Sequence, residues 1–200
     1  MSSGISGTYQ AAVLAAQELQ EAYPGRTVRA VDSKGAGLGT GLLTLRAADL
    51  RDEGLSAVQA ADTLDGEVQN LCQYFTVDDL MFLRGTGRLS TTGALMGTLL
   101  GVKPILWGDE TGHIVVHSKC RGRKKSVETL AQIYARKAVS PGTRRVAISH
   151  GDCPEDAQAL ADLIRAAAAP GELIICPHEP FTGSHVGPGM LGLFFFGDGR

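Results

Sequence analysis

Ser2-Ser3-Gly4-Ile5-Ser6-Gly7-Thr8 is a loop of glycines and hydroxyls that feeds directly into a helix predicted from Tyr9 to Tyr23. Gly4 and Gly7 let the backbone turn tightly, so that amide N–H groups can face a ligand. Ser2, Ser3, Ser6 and Thr8 supply hydroxyl donors. The helix N-terminus adds a partial charge of roughly +0.5. Together these favour a carboxylate or phosphate oxygen, against the plainer reading of an ordinary helix start. Loops of this kind are held at the ends of buried strands in α/β proteins. No strand precedes this one, so the sequence reads as an α/β protein entered part-way through.

Working outward, Thr27 to Val31 reads as a short strand ending in Asp32-Ser33, followed by a glycine loop from Gly35 to Gly41 and a helix to about Arg51. Ser56 to Tyr74 reads as one helix, with Val58, Ala61, Leu64, Val68 and Leu71 on a stripe. Then the pattern changes. Tyr74 to Val77 is strand-like, Asp78 to Leu83 helical, Arg84 to Arg88 a turn and Thr92 to Leu100 helical. Val102 to Trp107 and Gly112 to Ser118 are strands joined by the turn signal Asp109-Glu-Thr-Gly112. A helix from Val127 to Lys137, a strand from Arg145 to Ser149, a helix from Pro154 to Ala168 and strands at Leu173 to Cys176 and Gly192 to Phe196 complete the reading. This alternation is α/β or α+β.

Bulk properties narrow the function. The 200 residues are 44% hydrophobic and 20% charged, which is ordinary for a globular chain. A net charge of −2 gives no global field toward nucleic acid or membrane. The four cysteines are far apart and form no C-x-x-C pair, so reduced thiols and a cytoplasmic location are expected. No leader or membrane-spanning run is visible.

Two further clusters draw notice. Gly183-Ser184-His185-Val186-Gly187-Pro188-Gly189 places a histidine among glycines, where it can reach a carboxylate or titrate near neutral pH. Arg121-Gly-Arg-Lys-Lys125 puts cations at a helix start, where they oppose the dipole; a solvated run is the plain reading and an anionic partner the functional one. Gly35 to Gly41 does not fit G-x-G-x-x-G, and Gly4-Ile-Ser-Gly7 is no nucleophile elbow. His113 and His117 lie on a strand, roughly 13 Å apart, too far to share a metal.

The blocks together resemble the DegV family. Ser2-Ser-Gly-Ile-Ser-Gly-Thr-Tyr-Gln10 is similar to its signature S-S-G-L-S-G-T-Y-Q. Val31-Asp-Ser33 with Gly41-Leu-Leu43, Phe75-Thr-Val-Asp-Asp-Leu80 with Leu83-Arg-Gly-Thr-Gly-Arg-Leu-Ser90, Lys103-Pro-Ile-Leu106, Arg121 to Lys125 and Gly183 to Gly189 follow in the family's order. The resemblance implies a DegV-like fold: the remnant of an N-terminal α/β domain, residues 1–73, and a C-terminal α/β domain, residues 74–200, with a mixed or antiparallel sheet and flanking helices. It implies a long-chain fatty acid as ligand and no cofactor or metal. The partner would be the catalytic subunit of a bacterial fatty acid kinase, which phosphorylates the carboxylate for phospholipid synthesis. Ser2, Ser3, Gly4, Ser6, His185 and Arg84 would form the carboxylate site, with Ser3 favoured. Arg121, Arg123 and Lys124 would face the kinase or, transiently, an anionic membrane. The family carries a segment ahead of its signature that these residues lack, so a truncated product is one alternative. A serine hydrolase or acyltransferase using Ser3 or Ser6 with His185 is the other.

Overall fold

The computed structural model describes residues 1–89 and 101–200. The helix expected at Thr92 to Leu100 lies outside the described residues. Among the described residues the chain forms seven α-helices and one six-stranded sheet of order β3-β2-β1-β6-β4-β5. The strands are β1 (Leu71–Thr76), β2 (Val102–Gly108), β3 (Ile114–Arg121), β4 (Arg145–His150), β5 (Glu172–Pro177) and β6 (Leu191–Phe196). All neighbours are antiparallel except β4 and β5, which are parallel across one helical crossover. The sheet is therefore mixed.

That crossover helix, α6 (Pro154–Ala168), has the bounds read from the sequence. Proline at its first position and Glu155 and Asp156 in its first turn suit a helix start. Ala157, Leu160, Ala161 and Ile164 form its buried stripe at i, i+3, i+4 and i+7. With α5 (Arg123–Lys137) it covers one face of the sheet, where Leu130, Tyr134, Ile148 and Phe195 are almost fully buried. The Tyr134 hydroxyl donates to the Ala168 carbonyl at 2.9 Å, which satisfies its one polar atom.

The other face carries α2 (Leu38–Asp52) and α3 (Ala57–Glu67), whose Leu42, Leu43, Leu50 and Leu64 pack against Leu71, Phe194 and Phe196. Ser56 and Gln59 form a reciprocal capping box at the start of α3. Short α4 (Met81–Gly85) and α7 (Pro180–Val186) close one end of this face. The N-terminal helix α1 (Thr8–Ala22) has no buried residue, and Leu14 and Leu19 are exposed. No helix among the described residues is long and apolar enough to cross a membrane.

Four readings of the sequence need correction. The helix from Ser56 ends at Glu67, and after a 3-10 turn Leu71–Thr76 is a strand whose six residues are all buried between two neighbours. A strand buried on both faces loses the period-2 signal, and its leucine and cysteine extended the helical stripe instead. Thr27 to Val31 is not a strand: among the described residues no ladder pairs it, and the Val28 amide donates to Gln20 Oε1 at 3.2 Å. The glycine-flanked histidine is not in a loop, because His185 occupies the last turn of α7; Gly187 (φ +75°) and Gly189 (φ +74°) form the turn behind it. Likewise Arg84 belongs to α4, not to the turn that follows.

Candidate ligand-binding pocket

The opening turn is wedged between the Ser33–Gly35 loop and the β2–β3 hairpin. Ser2 is fully buried; its amide donates to the Gly35 carbonyl at 2.7 Å and its hydroxyl to the Gly112 carbonyl at 2.8 Å. The same hydroxyl accepts from the Gly4 amide at 3.1 Å. A Cβ on Gly4 would lie 2.7 Å from the Gly112 backbone, so only glycine allows this approach. Gly35 and Gly39 similarly leave room for the Gln73 amide group. From β1, Gln73 donates to the Lys34 carbonyl at 3.2 Å and accepts from the Ala36 amide at 3.3 Å. The loop is thus tied to the sheet by a side chain rather than by a ladder.

Ser3 turns away from this contact. Its hydroxyl donates to Asp32 Oδ2 at 2.5 Å and its amide to Oδ1 at 3.1 Å. Burial pushes the Asp32 carboxyl up, but the bonds from Ser3 and the Lys34 amide and the Lys34 charge outweigh it, holding Asp32 below the usual carboxylate range. Lys34 itself has φ +50° and pairs with Asp32 at 3.3 Å. Ser6 Oγ accepts from the Thr8 amide at 3.2 Å and shares a 2.8 Å bond with Thr8 Oγ1.

Between this turn, the sheet and α7 lies a mostly apolar hollow of about 90 Å³. Ile5 and Ser6 line it from the opening turn, Phe75 and Phe194 from the sheet, and His185 and Val186 from α7. Among the described residues His185 Nδ1 is buried without a hydrogen-bond partner, while the ring meets Phe181 edge-on at 6.0 Å. A buried ring nitrogen left unpaired is costly unless something binds it.

Of the residues expected to form one site, Ser6 and His185 line the hollow, and Ser2 and Gly4 build the turn behind it. Ser3 and Arg84 do not line it; Arg84 is exposed on α4. Neither Ser3 nor Ser6 bonds His185; their hydroxyls are engaged with Asp32 and Thr8. Arg121, Arg123 and Lys124 are not part of the lining either. Arg121 and Lys124 are exposed, but Arg123 is committed inside the protein: Nε donates to Asp156 at 2.8 Å and Nη1 lies 3.6 Å from Asp78.

The sequence reading missed several lining groups: Arg88, Gln73, Lys34, His178 and Thr182. His178 and Thr182 belong to a hydrogen-bonded chain with Ser149 and Glu179. Their spacing, i and i+4 across a proline, was the available signal, but it means something only once α7 is seen to be helical.

Comparison with known proteins agrees with this architecture. The family model described as uncharacterised protein, DegV family, matches residues 1–198. A DegV domain-containing protein of Clostridium perfringens is 39% identical over 197 residues, covering 98% of this chain and 68% of that protein. The solved structure of a DegV family protein from Thermus thermophilus, described by its fatty acid binding, is 30% identical with a TM-score of 0.84, covering 98% of this chain and 69% of that one. The Streptococcus pneumoniae fatty acid kinase B3 protein, loaded with linoleic acid, is 25% identical with a TM-score of 0.87, covering 99% of this chain and 70% of that one.

Proposed function

The chain belongs to the DegV family, and on that premise we propose that it binds a long-chain fatty acid and presents the carboxylate to a separate fatty acid kinase subunit for acyl phosphate formation. The observation that carries this reading is that Ser6 and His185, from opposite ends of the sequence, line one apolar hollow, and that the buried His185 Nδ1 has no hydrogen-bond partner among the described residues. Each methylene buried there contributes about 0.8 kcal/mol, and a hydrogen bond from His185 to a carboxylate about 1.5–3 kcal/mol.

Within the site, Ser6 and His185 have direct access, and Ser2 and Gly4 hold the turn in place. A contact from Ser3 requires its bond to Asp32 to open. The hollow is smaller than the roughly 150 Å³ cavity that takes benzene, so the chain's far end extends beyond it. Exposed Arg121 and Lys124 are the proposed contacts for the kinase or, transiently, an anionic membrane. The division into residues 1–73 and 74–200 remains our proposal, with its boundary falling inside β1.

Native mass spectrometry of the purified protein tests the reading: a co-purified fatty acid is expected. A protein that stays empty after incubation with oleate would overturn it. Incubation of the loaded protein with a fatty acid kinase and ATP should yield acyl phosphate, and charge reversal at Arg121 and Lys124 should lower that yield without changing oleate affinity.

A further inference from the structure

His178 stands at a junction that the carboxylate contact does not use. Its side chain is 4% exposed and forms part of the pocket wall. Nδ1 lies 2.9 Å from Ser149 Oγ on β4, and Nε2 lies 2.5 Å from Thr182 Oγ1 on α7. Thr182 Oγ1 donates to Glu179 Oε1 at 2.5 Å. A carboxylate only accepts, so the single Thr182 proton is committed to Glu179. The Thr182 oxygen is then the acceptor for Nε2–H, and Nδ1 accepts from the Ser149 hydroxyl. Both ring nitrogens and the threonine proton are therefore satisfied from within the protein. A Cβ on Gly37 would lie 3.1 Å from His178 Cε1, so the start of α2 backs the ring closely.

The charged surroundings are few. Glu179 Oε2 is 3.6 Å from Nδ1. His185, Lys34 and Arg88 line the same pocket, and Cys176 precedes the ring on β5. β4 presents the uncharged Ser149 and next to it His150, whose carbonyl accepts from the His178 amide at 2.8 Å; α2 presents Gly37, and the Met1 amino terminus lines the same pocket. Burial lowers the pKa of His178 from the ordinary imidazole value, with Glu179 opposing.

We propose that the chain Ser149–His178–Thr182–Glu179 is a proton-gated latch, whose neutral form lets an alkyl chain pack on the wall and whose protonated form expels it. This rests on the pocket holding an alkyl chain, as proposed above. In the neutral form every donor of these four side chains is paired within the chain of bonds. A second ring proton on Nδ1 meets the Ser149 hydroxyl, which must turn its hydrogen away; its other neighbour is Met190 Sδ at 3.9 Å, a weak acceptor. An occupied pocket also excludes the water that would solvate the new charge, so chain and proton compete for one wall.

The sign of the linkage follows. Occupancy lowers the proton affinity of His178, so ligand affinity is complete above the pKa of the empty protein. It falls by at most about tenfold per pH unit down to the pKa of the loaded protein.

The test is oleate affinity of the full chain between about pH 7.5 and pH 5.5, a range spanning the ordinary histidine pKa, for wild type and His178→Gln. Protonation of oleate is common to both proteins and cancels. Wild type should lose several-fold more affinity than His178→Gln, and superimposable profiles would overturn the proposal. A second measurement uses wild type alone: imidazole 15N NMR should show His178 as the Nε2–H tautomer, with a titration midpoint that moves down when oleate is added. A midpoint that oleate does not move would also overturn it. Absence of oleate binding at every pH sinks the fatty acid reading as well, whereas binding without the His178 effect sinks the latch alone.

Discussion

The two faces of one sheet have been treated differently. Against α5 and α6 the face is filled: Leu130, Ile133, Leu160 and Ile164 are almost fully buried, and Tyr134 and Phe195 meet edge-on at 5.2 Å. Against the opening turn and α7 the opposite face keeps a hollow, glycine-backed approaches and an imidazole nitrogen with no partner among the described residues. Filling a face stabilises the fold, and leaving one end of a face unfilled provides a place for a ligand. The contrast assigns stability to one side and binding to the other, and substitutions on each side test it.

The largest effect belongs to the filled face. Leu160→Ala should cost about 2–5 kcal/mol by opening a cavity under α6, measured by urea unfolding, while oleate affinity of the folded fraction stays unchanged. A loss of affinity there would mean that the faces are coupled. Gly4→Ala comes next, at about 1–3 kcal/mol, because its Cβ meets Gly112 backbone that cannot give without moving the hairpin. Here affinity should fall together with stability. His185→Ala separates the two quantities: about 1.5–3 kcal/mol of oleate binding is lost, tenfold or more, with little change in the unfolding midpoint. Equal losses in both would make His185 a packing residue. The smallest effect is Lys125→Ala on the outer side of α5. Its pair with Glu128 at 3.2 Å is half exposed, and such pairs contribute about 0–1 kcal/mol, so stability and binding should both stay nearly as in wild type.

Local chemistry made much of this readable. Pro154 with two acids marked the start of α6, and Asp109 to Gly112 marked the hairpin that now abuts Ser2. The glycine and hydroxyl turn and His185 were legible as polar groups in unusual settings, though only folding brings Ser6 and His185 to one hollow. What escaped depends on tertiary context. Leu71–Thr76 is buried on both faces and carries no alternation to read. Ser149 on β4 lies 29 residues before His178, and nothing in that spacing announces that the two meet. Ser3 appeared to be a free hydroxyl until Asp32, 29 residues away, was found to hold it.

The sheet order carries a consequence for synthesis. β6 is the keystone between β1 and β4, yet it is made after both. As the polypeptide leaves the ribosome, the β1–β2–β3 meander and the β4–β5 unit can each assemble, but as two islands with open edges. Leu191–Phe196, with three consecutive phenylalanines, joins them in one late step. Until that step, exposed strand edges on both islands are open to pairing with other chains, and a chaperone that shields them has its work at that moment.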